Sequence, residues 1–124
     1  MADLRHFILD DDRRVVEATK DQWINFYGHP NRVVAKTYFE CGAEVSTVFL
    51  GLNHRYRDDG PPLVFETMVF EMDADGSSDE MWRYSSWDDA VAGHDATVVR
   101  VKARLAKAGL STVEINEPTM ENTK

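Results

Sequence analysis

Two neighbouring stretches, VSTVFLGL (45–52) and LVFETMVFEM (63–72), are the most apolar part of this chain, and in each one both alternating sets of side chains are largely hydrophobic. Successive side chains of a strand point to opposite faces, so a stretch that is apolar on both sets is read as a strand covered on both sides and central in its sheet. The intervening RDDGPP (57–62) ends the first ladder and returns the chain, because glycine and proline interrupt strand hydrogen bonding. Val45, Thr47 and Phe49 then share one face of the first strand; Leu63, Phe65, Thr67 and Val69 share one face of the second.

The flanking segments extend the pattern. HFILDDDRRVVEA places apolar runs on both sides of Asp10–Arg13, a first hairpin whose aspartates suit a tight turn. Thr19 and Gln22 have capping-box spacing at the head of a short helix carrying Trp23, Ile24, Phe26 and Tyr27, and Gly28 with Pro30 stops it. RVVAKTYFE predicts a strand paired through CGAE with the next, and MWRYS a shorter one. Ser86 and Asp89 cap a long final helix, and Trp87, Val91, His94, Val98, Val101 and Leu105 draw its apolar stripe beside a ridge of small residues, Ala90, Gly93 and Thr97. Gly109 ends it. The fold class is α+β: a mostly antiparallel sheet with an early short helix and a long C-terminal helix packed on one face. Residues 1–110 form one domain of ordinary size, and the polar 111–124 reads as a mobile tail.

With 14 Lys and Arg against 22 Asp and Glu the net charge is −8, which argues against general nucleic-acid binding or an anionic membrane surface. No run approaches the roughly 20 apolar residues of a membrane span, and the first residues lack the apolar core of a signal peptide, so a cytoplasmic protein is expected. The single cysteine, Cys41, offers neither a bridge nor a metal-ligand pair. DADGSSDE suggests a calcium loop only superficially: counted from Asp73, the sixth and twelfth positions hold Ser78 and Tyr84 where an EF-hand needs glycine and glutamate. No phosphate loop, nucleophile elbow or zinc motif occurs, so no catalytic residue, metal or cofactor is assigned.

Two polar residues interrupt the apolar core. Glu66 stands on a face otherwise made of Val64, Met68, Phe70 and Met72, where a carboxylate must find a cation or hydrogen bonds; it is either an acid, base or ligand anchor, or a strand residue that reaches an arginine or lies at the wet edge of the sheet. His54 opens the loop that also carries Arg55, Tyr56 and Arg57, a cluster whose guanidinium forks suit phosphate or carboxylate and whose phenol can stack on a base. Asp58 and Asp59 offer the plainer reading of a self-neutralised surface loop. Arg83 and Tyr84 extend the candidate ligand-binding set, and His94 joins it from the helix, where a core histidine is the alternative. Aromatics gather at Trp82, Tyr84 and Trp87 and again at Trp23, Phe26 and Tyr27.

The strings Val45–Leu52 with His54, Gly60–Leu63, Phe65–Phe70, Arg83–Ser85 with Trp87, and Gly93–His94 resemble a family of short proteins of tailed phages and actinobacterial chromosomes. The resemblance covers about half the chain; it departs at Asn53, where the family pattern has aspartate, and at Glu71 and Met72, where it has glycines. It implies a phage accessory protein working in the host cytoplasm by binding, for instance by sequestering a nucleotide-like immune signal. Three functions follow as expectations. One is a non-catalytic binding module for a nucleotide-like ligand through the cationic and aromatic cluster. Another is an acidic inhibitor of a host protein, and the third is a small hydrolase using His54, Glu66 and His94. A homo-oligomer is expected as well, because one helix leaves part of an apolar sheet face uncovered.

Overall fold

The computed structural model describes residues 5–54, 60–70 and 80–116. A hairpin, β1 (His6–Leu9) and β2 (Val15–Ala18), leads into α1 (Lys20–Tyr27) and a single 3-10 turn at Pro30–Arg32. Then come β3 (Val33–Phe39), β4 (Glu44–Phe49), β5 (Phe65–Phe70), β6 (Met81–Tyr84), α2 (Trp87–Lys107) and β7 (Glu114–Ile115). The main sheet is antiparallel in the order β6-β5-β4-β3-β7, so β4 is its central strand and β5 is interior.

Capping works as the spacing predicts. Thr19 Oγ1 accepts from the Gln22 N–H while the Gln22 side chain accepts from the Thr19 N–H, and Ser86 Oγ accepts from the Asp89 N–H. At the far end of α2, Gly109 at φ +77° lets the N–H groups of Gly109 and Leu110 donate to Ala106 and Leu105, closing the last turn.

The helix lies on only one face of the sheet. Along β4 and β5 burial alternates strictly: Val45, Thr47, Phe49, Phe65, Thr67 and Val69 are buried, whereas Glu44, Ser46, Val48, Glu66 and Met68 are half-buried and Phe70 is exposed. The expectation of strands covered on both sides is thereby corrected. The outer face is apolar enough to resemble a covered one, but no element packs over it among the described residues.

The helix is also turned from its anticipated stripe. Its buried positions are Ala90, His94, Thr97, Val101 and Leu105, while Val91 is exposed and Val98 half-buried. The small ridge faces the sheet because it permits a close approach: a Cβ on Gly93 would collide with the ring and hydroxyl of Tyr84. The tail expectation is corrected in part too, since β7 adds an edge strand to β3 and Lys102 Nζ meets Glu114 at 2.6 Å. Residues 117–124 lie outside the described residues.

Two hydrophobic clusters make up the core. Phe7, Leu9, Phe49, Val64, Phe65 and Ala90 form one, beneath the hairpin and α1; Phe39, Ala43, Val45, Val69, Val101 and Leu105 form the other, beneath the second half of α2. Each buried Val, Leu or Phe among them contributes about 1.5–3 kcal/mol. Between the clusters runs a polar layer. His94 Nδ1 is 2.7 Å from Thr47 Oγ1, His94 Nε2 is 2.9 Å from Thr37 Oγ1, and Thr47 is 2.5 Å from Thr67.

Candidate functional site

The anticipated residues divide between the two faces of the sheet. On the outer face Glu66 finds the cation it required, with Arg83 Nε donating to its Oε2 at 3.2 Å. The pairing follows from register, since Glu66 and Arg83 are direct partners across β5 and β6. His54 joins them electrostatically: burial lowers its pKa first, the Arg83 charge lowers it further, and Glu66 opposes both. The backbone N–H of His54 donates to Leu63 O, and Asn53 Oδ1 accepts from the Leu63 N–H at 2.8 Å, so Asn53 clamps the base of the loop. Arg55, Tyr56 and Arg57 lie outside the described residues.

His94 and Tyr84 belong to the other face. His94 is 3% exposed and spends both ring nitrogens on threonines; its pKa is lowered by burial, against the attraction of Asp95 and Glu114. It is a core histidine. The sheet separates it from His54 and Glu66, so the three-residue set required by the hydrolase reading is not assembled. Tyr84 packs on Gly93, one residue and one face away from Arg83, and its hydroxyl has no hydrogen-bond partner among the described residues. Among the described residues no three His, Cys, Asp or Glu side chains are grouped to hold a metal.

A different concavity lies where the β1–β2 turn overhangs the start of α2. Asp10 Oδ1 accepts from the N–H groups of Asp12 and Arg14, folding the turn back on itself. Those bonds hold Asp10 below the usual carboxylate range despite some desolvation, and Arg14 adds its charge. Closing this turn puts Arg13 at φ +64°, the one non-glycine residue with positive φ among those described. Its guanidinium then sits 4.5 Å from the centre of the Trp87 ring.

Arg14 is claimed by Asp12 at 2.8 Å, but Arg13 has no carboxylate within ion-pair distance among the described residues. Arg13 and Trp87 together border two cavities. One, of about 480 Å³, is walled by Leu9, Phe26, Val34 and His29; the other, of about 650 Å³, by Arg14, Ser85, Ser86 and Asp88. Phe26 and His29 stack with planes 4° apart at 5.7 Å, and His29 Nδ1 accepts from the Asn31 N–H, which leaves the proton of the neutral ring on Nε2.

No local pattern in the sequence marks this cleft. DDDRR registers as a turn and Trp87 as part of an apolar stripe; only their spatial meeting makes a site. A hint was the arginine at the turn position where glycine or asparagine is expected. The chain matches no family model, and neither the curated proteins nor the solved structures provide a match.

Proposed function

We propose that this protein is a non-catalytic binding module that holds a small, flat, anionic ligand of nucleotide type in the cleft between the β1–β2 turn and α2. The observation that carries it is Arg13: a guanidinium without a carboxylate partner among the described residues, held in a left-handed backbone conformation over an indole at the rim of two cavities. Strained backbone of this kind is retained where surrounding structure maintains it, and it gathers at binding sites. The apolar walls accept a ring, and the guanidinium accepts a phosphate by paired hydrogen bonds. In a phage setting this is sequestration of a host nucleotide signal, as the resemblance implies.

Calorimetry with 5′-mononucleotides, cyclic di- and trinucleotides and ADP-ribose is the test. At least one is expected to bind, and Arg13→Ala should weaken that binding about 10- to 100-fold, the value of one charge-assisted phosphate contact. Absence of binding by every compound overturns the reading.

The outer sheet face favours a twofold dimer. Phe70, Met81 and Ile115 are each 43–50% exposed there beside half-buried Val48 and Met68. Lys36 and Arg83 balance Glu44 and Glu66, so two chains of net charge −8 would meet on neutral ground. Light scattering is expected to give twice the chain mass, and Phe70→Glu with Met81→Glu to halve it while circular dichroism stays unchanged. A monomeric wild type refutes the dimer and leaves this face to a host protein.

A further inference from the structure

We infer that the ring received by the cleft is a guanine-type base, read by Asp11. This inference rests on the cleft being the binding site and concerns which ring it selects.

The turn contains three consecutive aspartates, and the structure uses two of them internally. Asp10 accepts two backbone N–H groups through Oδ1, with the Arg14 guanidinium 3.5 Å from its Oδ2. Asp12 accepts from Arg14 at 2.8 Å. Asp11 lines the same cavity as Arg13, Phe26 and His29, is exposed, and makes no hydrogen bond or ion pair among the described residues. An unengaged carboxylate beside an apolar wall repels a phosphate, so the anionic end of a ligand belongs at Arg13 and a donor-rich edge at Asp11.

Two carboxylate oxygens accept two parallel N–H groups. Guanine has such a pair, the ring N1–H and the exocyclic amine. Adenine sets an acceptor beside its amine, as cytosine does, and uracil offers a single N–H, so each leaves a carboxylate oxygen facing a lone pair or nothing. The Nε2–H of His29, fixed by the bond from Asn31 to Nδ1, supplies a donor on the same wall for the guanine carbonyl. The Phe26–His29 stack and Trp87 provide flat apolar surfaces for the ring itself.

Calorimetry with GMP, IMP and AMP on the wild type and on Asp11→Asn tests this. GMP is expected to bind about 10- to 100-fold more tightly than AMP, the discrimination of one good bidentate pair, with IMP in between because it keeps one of the two donors. Asp11→Asn, an exposed change in a turn that uses the neighbouring carboxylates, should fold normally by circular dichroism, weaken GMP and strengthen AMP, since a carboxamide pairs with adenine's mixed edge. A purely structural role for Asp11 would lower both affinities together. AMP binding as tightly as GMP, or a preference unchanged in Asp11→Asn, overturns the base assignment and leaves the cleft standing. If none of the three nucleotides binds, the base assignment falls, and the broader panel decides whether the cleft falls with it.

Discussion

His94→Ala is expected to cost about 3–5 kcal/mol, a large part of the 5–15 kcal/mol that holds a domain of this size together. The imidazole bridges Thr37 on β3 to Thr47 on β4, and Thr47 in turn reaches Thr67 on β5, so one ring ties three strands to the helix. Its removal empties a site between the two hydrophobic clusters and strips a partner from buried Thr47 and from half-buried Thr37. Urea denaturation at pH 7.5 measures the loss. A midpoint indistinguishable from the wild type would refute the bridging role.

The same ring makes the protein acid-sensitive. Burial lowers the folded-state pKa of His94, and that of His54 is lowered as well, so the unfolded chain takes up these protons first. Stability is therefore full above the ordinary histidine value near 6.5 and declines as pH falls below it, by at most about 1.4 kcal/mol per pH unit for each histidine until its folded-state pKa is reached. Carboxylates act lower down. Glu80 is desolvated, which raises its pKa, but hydrogen bonds from Trp82, Arg100 and Arg104 outweigh this and lower it. With Asp10, also lowered, it holds its contribution until the pH falls through the carboxylate range. Stability measured from pH 7.5 to 5.5 should thus decline in the wild type and decline less steeply in His94→Ala, which lacks the His94 share.

Gly51→Ala is expected to be nearly as damaging, at about 3 kcal/mol or more, lowering the melting temperature by roughly 10 °C. Gly51 lies just past β4 at φ +77°, and a Cβ there would sit 2.6 Å from the Phe7 carbonyl oxygen and against the Trp23 indole. Several ties converge on this point. The Phe7 N–H donates to Gly51 O, Trp23 Nε1–H donates to Leu50 O at 2.9 Å, and His6 bridges to Leu52. The substitution both strains the backbone and pushes the hairpin and α1 off the end of the sheet. Because the hairpin carries Arg13, any binding by the proposed cleft should fall with stability. A melting temperature within about 2 °C of the wild type would show that this junction yields, contrary to the contact geometry.

Arg13 and His94 mark how far the sequence could be read. Local rules were sufficient for the hairpin at Asp10–Arg13, the capping box at Thr19, the N-cap at Ser86, the β3–β4 pairing and the α2 stop at Gly109, because each is settled within a few residues by backbone hydrogen bonding. Glu66 needed a cation, and strand register supplied Arg83. The stripe on α2 was misread because hydrophobicity alone favours Val91, whereas the close fit of Tyr84 against Gly93 turns Ala90, His94 and Thr97 inward.

What the sequence by itself determined was most of the elements, the edge strand β7 apart, and the antiparallel character of the sheet, since period-two patterning, turn chemistry and caps act over short range. Only the tertiary structure decided that His94 and Glu66 stand on opposite faces of the sheet, that among the described residues no element covers the face of Glu66, and that Arg13 meets Trp87, 74 positions further along the chain. Those contacts depend on the angle and distance at which the hairpin and α2 are packed, and packing is set by the sum of side-chain shapes across the whole core rather than by any local string.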